Sequence, residues 1–107
     1  MKFMYELQPI DSHKSFYKKA VVVVMDDDTR LLKSYDTVVC SMDSNGNVTR
    51  YWWDYSATTG RHIAAFCGLN KAEYTALPIE PLPAEYAVFE TRYWHDRTNP
   101  YNGYIIR

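Results

Sequence analysis

Two hydrophobic periods run along this chain, and the change from one to the other marks its elements. Phe3, Tyr5 and Leu7 recur at every second position, which predicts a short edge strand. Ala20 to Met25 contains four successive valines, the β-branched composition of a buried strand. Asp26, Asp27, Asp28 and Thr29 then break the run as a solvated turn. From Leu31 to Met42 the pattern predicts one long strand. Alternation puts Leu32, Val38, Cys40 and Met42 on one face and Leu31, Tyr35, Thr37 and Val39 on the other. Asp43-Ser44-Asn45-Gly46-Asn47 is the clearest turn, because Asn-Gly tolerates the positive φ that tight hairpins require. A strand from Val48 to Tyr55 should follow, with Tyr51, Trp53 and Tyr55 opposed to Arg50, Trp52 and Asp54.

The period then lengthens. Thr59 to Cys67 reads as a helix carrying Ile63, Phe66 and Cys67 on one side, with Gly68 as its C-terminal stop. A second short helix is expected after Leu69. Asn70 is placed to cap it, Glu73 to complete a capping box, and Leu69 to pack on Tyr74. The helix ends at Leu77 before Pro78, and an extended connector runs to Pro83. Tyr86 to Trp94 has strand-like composition with a helix as the alternative. Asn99 to Gly103 is a turn before a last strand at Tyr104 to Ile106. The fold class that results is α+β: an antiparallel sheet of three or more strands, with one or two short helices packed on a face. Residues 1–107 are expected to form a single domain.

Composition narrows the function. A net charge of −1 removes the broad basic field of a dedicated nucleic-acid binder. The aromatic load is high, with ten Tyr, four Phe and three Trp, more rings than a domain of this size can hide. Interfaces are enriched in Tyr and Trp, so part of this set points to a binding surface. The longest apolar run is far too short for a membrane span, and the N-terminus lacks the apolar core of a signal peptide. A cytoplasmic protein with no membrane partner is expected, its Cys40 and Cys67 kept as thiols.

Candidate chemistry is sparse. His13, His62 and His95 lie in no recognisable nucleophile or metal-ligand spacing, so neither a catalytic residue nor a metal or other cofactor is expected. The spacing of Asp43, Asn45 and Asn47 resembles the start of a calcium loop, but Val48 stands where that loop needs Gly. The helix start between Tyr55 and His62 is more informative. Ser56, Thr58 and Thr59 can cap it, Gly60 allows a close approach, and Arg61 adds a cation near the positive end of the helix dipole. Thr58, Thr59, Gly60 and Arg61, with Arg50 and Trp52 as an exposed cation–ring pair, make the candidate binding set. On helical spacing His62 lies one turn inside the start. A strand carrying Ser34, Tyr35 and Thr37 beneath it would bury the imidazole and give it a hydrogen-bond partner, forming a structural network.

Ser34, Tyr35, Thr37 and Val39, followed by Tyr55, Ser56, Thr58, Thr59, His62, Ile63 and Phe66, form a Ser-Tyr-x-Thr-x-Val … Tyr-Ser-x-Thr-Thr-x-x-His-Ile-x-x-Phe pattern. Together with the lead-in Ser15 to Ala20, it resembles an uncharacterised family of small proteins in tailed phages, prophages and mobile elements. The resemblance spans Ser15 to Phe66 and implies a source and a shared fold rather than a reaction. The expected function is a non-enzymatic interaction module, an accessory or host-takeover protein with a protein partner. The alternatives are a single-stranded nucleic-acid binder, with Arg50 and Trp52 as its platform, and a structural protein that self-assembles into a homo-oligomer.

Overall fold

In the computed structural model, residues 2–10 and 19–90 are described. The expectations for His13, His95, the turn at Asn99 to Gly103 and the strand at Tyr104 to Ile106 lie outside them. Five strands, β1 (Phe3–Glu6), β2 (Ala20–Val24), β3 (Arg30–Ser34), β4 (Thr37–Met42) and β5 (Val48–Arg50), form one sheet in chain order. Each strand is antiparallel to the next. Three helices follow among the described residues: α1 (Ala57–Cys67), α2 (Lys71–Thr75) and α3 (Ala84–Ala87). The α+β class is as the sequence predicts.

The acidic turn folds on its own bonds. Met25 N–H donates to the Thr29 carbonyl (2.8 Å), the Asp27 carboxylate accepts from Thr29 N–H (3.0 Å), and Asp28 takes φ 70°. Asp43 organises the next hairpin in the same manner. Its Oδ1 accepts from the backbone N–H groups of Asn45 and Asn47, both at 2.9 Å, while Gly46 takes the positive φ of 86°.

The expected long strand from Leu31 to Met42 is instead two. Tyr35 turns the chain with φ 53°, a left-handed conformation that costs energy without glycine, and its N–H is held by the Lys19 carbonyl at 2.7 Å. No Gly, Pro or Asn marks this turn, so the pattern runs through it. The ladder also slips one residue, Leu32 pairing with Cys40 and Lys33 with Val38. Val39 is therefore the extra residue of a β-bulge. The slip transfers Val38 to the face opposite Cys40, against the simple alternation.

Both faces of the sheet are covered. One carries Ala20, Val22, Val24, Leu32 and Cys40, and packs against Leu7, Ile63 of α1 and Tyr74 of α2. The other carries Met4, Val21, Val23, Leu31 and Val38, and packs against Phe89, with Leu82, Tyr86 and Val88 beside it. Two-sided burial explains why β2 is a run of valines rather than an alternating strand. Helices on a single face describe α1 and α2 only; the segment containing α3 closes the second face. Phe89 is fully buried there. Phe89→Ala is expected to lower stability by about 3 kcal/mol, read from chemical denaturation; a loss below 1 kcal/mol would show that this face does not need its cover.

Candidate functional site

The turn into α1 is built from hydroxyl groups. Ser56, in extended conformation, caps the helix by accepting from Thr59 N–H at 3.1 Å. Its own hydroxyl donates to Thr59 Oγ1 (3.1 Å), which lies 3.4 Å from Ser34 Oγ, which in turn lies 2.7 Å from Nδ1 of His62. Read in one direction, each hydroxyl donates to the next and Nδ1 accepts the last proton, which places the ring proton on Nε2. His62 is 1% exposed and Ser34 3%, so the chain ties α1 to the end of β3 inside the protein. Tyr35 lays its half-exposed ring against the imidazole, centroids 5.8 Å apart. Thr37 pairs with Ser34 across the hairpin and closes it. Burial, reinforced by the charges of Arg61 and Lys19, lowers the pKa of His62 to about 4. The imidazole is neutral at physiological pH.

The rest of the expected binding set is arranged differently. Thr59 and Gly60 are buried, while Thr58 and Arg61 are half-buried on the helix surface. The space beside Gly60 is taken. A Cβ there would stand 2.7 Å from Tyr55 ring atoms, so the glycine admits Tyr55, which packs on Tyr74 at 5.7 Å, and leaves no room for a ligand backbone or phosphate.

Arg50 is not an exposed cation. It is 6% exposed, and its guanidinium donates to the carbonyls of Trp52 (3.0 Å), Trp53 (2.7 Å), Thr75 (3.2 Å) and Leu77 (3.3 Å) while lying over the Tyr74 ring at 4.9 Å. This clamp also explains why β5 stops at Arg50 rather than continuing to Tyr55. Tyr51 and Trp52 both turn their N–H groups to the carbonyl of the bulged Val39, at 2.9 and 3.2 Å, and the next two carbonyls face the guanidinium. Alternation is lost at that point. Trp52 packs half-buried on the core, and Trp53 is the exposed ring at 65%. The expected Arg50–Trp52 pair is thus corrected to a buried Arg50 that presents Trp53. Sequence alternation alone favours the wrong tryptophan, because the break depends on the bulge in a different strand.

Cys40 and Cys67 are both thiols in the same apolar cluster, with Cys67 Sγ donating to the Ile63 carbonyl at 3.4 Å. The interaction of the two thiols pushes the buried Cys40 up and lowers Cys67 to about 7. Among the described residues there is no group of three or more His, Cys, Asp or Glu arranged to hold a metal ion, and no helix is long and apolar enough to cross a membrane.

The stretch from within β1 to just past α2 is also what sequence comparison picks out. A protein-family model described as a family of unknown function (DUF8033) matches residues 5–77, more than half of the chain. The chain belongs to the DUF8033 family. Neither the comparison with curated proteins nor that with solved structures gives a match. The DUF8033 match takes in the hydroxyl chain, His62, the bulge and the whole Arg50 clamp, and it stops before the segment that carries Phe89.

Two outcomes follow from this geometry. Below about pH 6.5 the unfolded chain protonates His62, whereas the folded protein resists until about 4. The stability contributed by the neutral imidazole is therefore complete above about 6.5 and falls as pH drops to about 4, by up to about 3 kcal/mol. Denaturation at a series of pH values should show this arm, and His62→Gln should remove it; an identical pH profile in the variant would refute the assignment. Arg50→Ala removes the shared donor of four part-buried carbonyls and the cover of the Tyr74 ring, and is expected to lose about 3 kcal/mol, measured by chemical denaturation. Arg50→Lys should recover little of it, because an ammonium cannot span the four acceptors.

Proposed function

We propose that this protein is a non-enzymatic binding module for a protein partner, with Trp53 as its anchor. The observation that carries the reading is the contrast within one residue. The Trp53 carbonyl is fixed at 2.7 Å by a buried guanidinium, yet the residue is 65% exposed. A large ring on an immobilised backbone loses little entropy on binding, which is the character of an interface hot spot. Ile79, 52% exposed, is bridged to the Arg50 backbone and is a second exposed large apolar side chain tied to the clamp.

The polar residues most suggestive of chemistry support the same reading. Ser34 and His62 have the 2.7 Å separation of a nucleophile and its base, but at 3% and 1% exposure they are closed to substrate, and their bonds join α1 to the sheet. An accessory or host-takeover role in a phage or mobile element, inside the cytoplasm, is supported by the motif that runs from Ser34 to Phe66.

Trp53→Ala is expected to change stability by less than about 0.5 kcal/mol, since the ring is outside the core. Affinity for the partner should fall at least 30-fold, the effect of losing a hot spot worth about 2 kcal/mol. The measurement is capture with the wild-type protein, followed by titration of the purified partner against both forms. Equal affinity of the two forms would overturn the reading. Capture of nucleic acid with affinity falling steeply in salt would replace it with strand binding. Light scattering that shows a concentration-dependent oligomer lost in Trp53→Ala would identify the partner as a second copy.

A further inference from the structure

We propose that the cleft at the turn end of the sheet is a small-molecule site for a planar ring bearing a phosphate, in the size class of a mononucleotide. It is separate from the Trp53 surface. The cleft encloses about 430 Å³, within the range of pockets that hold one small ligand. Sheet register builds it. Phe3, Val24, Arg30 and Met42 pair in sequence across four strands and so present one row of side chains on the same face. Tyr5 stands two residues along β1 from Phe3, their rings 6.0 Å apart and inclined by 31°, which makes an aromatic wall; Phe3 is 46% exposed. Val24 and Met42 contribute apolar lining.

The charges decide the ligand. Two carboxylates and two cations line the cleft. Asp28 is paired with Lys2 at 2.6 Å. Asp43 is turned into its own hairpin, accepting from Asn45 N–H, Asn47 N–H and the Asn47 side chain, and those bonds hold its carboxyl below the usual range. Arg30 is exposed, and its side chain forms no ion pair or hydrogen bond among the described residues. It is the uncommitted charge of the cleft, a planar fork of donors on the strand two across from the aromatic wall. A guanidinium in that position suits a phosphate bidentately, while the two rings offer a stacking surface for a base.

The test is calorimetric or NMR titration of the protein with AMP, with adenosine and inorganic phosphate as the two halves of that ligand. AMP is expected to bind at least tenfold more tightly than either half. Arg30→Gln should reduce AMP binding to the level of adenosine, Arg30→Lys should restore only part of it, and Phe3→Ala should weaken AMP and adenosine alike. Arg30 is exposed, so all three Arg30 forms should melt together and remain comparable. Absence of AMP binding, adenosine binding as tightly as AMP, or unchanged affinity in Arg30→Gln would each overturn the proposal. A ten-nucleotide single strand that binds a hundredfold more tightly than AMP would overturn the small-ligand assignment in favour of a strand. These titrations contain no protein partner, so their failure leaves the Trp53 reading standing, and the reverse holds as well.

Discussion

The buried guanidinium of Arg50 is the constraint on which the arrangement around the sheet depends. A charge removed from water is costly unless its donors are met, and no carboxylate among the described residues pairs with this one. Backbone carbonyls meet it instead, two from the chain leaving β5 and two from the end of α2, with the Tyr74 ring beneath. Satisfying one side chain thereby fixes two segments about twenty-five residues apart in sequence. The Arg50 backbone adds a third tie, its carbonyl accepting from Glu80 N–H at 2.8 Å. Lysine could not do this, because it lacks the fork of donors that reaches several acceptors at once.

The clamp works because the bulge at Val39 supplies its counterpart. A bulged residue turns its carbonyl out of the regular ladder. Here that carbonyl accepts from Tyr51 N–H, Trp52 N–H and the Tyr74 hydroxyl, the last at 3.0 Å. Tyr74 thus touches both devices, bonding the bulge through its hydroxyl and facing the guanidinium through its ring. At the start of α1, the Ser56–Thr59–Ser34–His62 chain performs the equivalent task with neutral groups. Polar residues that resemble functional groups in the linear chain are thereby spent on joining helices to sheet. The surface keeps the aromatic and apolar groups that those bonds push outward.

Local chemistry was legible wherever it is self-contained. The capping box of Asn70 and Glu73 forms with both bonds present, at 2.8 and 3.0 Å, and Gly68 ends α1 in the left-handed region at φ 78°. The Asn-Gly turn, the valine strand and the start of α1 follow from residues within a few positions of one another. His62 was also legible, since helical spacing from Thr58, Thr59 and Phe66 placed it one turn inside the helix start and only the strand beneath had to be supplied. The turn at Tyr35 was not. Its left-handed backbone is imposed by the Lys19 carbonyl, from an element sixteen residues earlier. The cleft at Arg30 could not be read either, because its row of residues is assembled from four strands by register.

What the sequence determined by itself is therefore the locally closed pieces, namely the valine strand, the acidic and Asn-Gly turns and the helix caps, through interactions that close within about one turn of helix or hairpin. It also determined that His62 would be inside, because amphipathic spacing is a local property. Tertiary structure alone decided which charges are buried and which rings are exposed. Arg50 and Trp53 exchange the roles that alternation gives their neighbours, because a one-residue slip in β4 redirects the backbone of β5. Side-chain exposure on a strand depends on the register of the strand beside it, and a single misplaced residue there inverts the pattern.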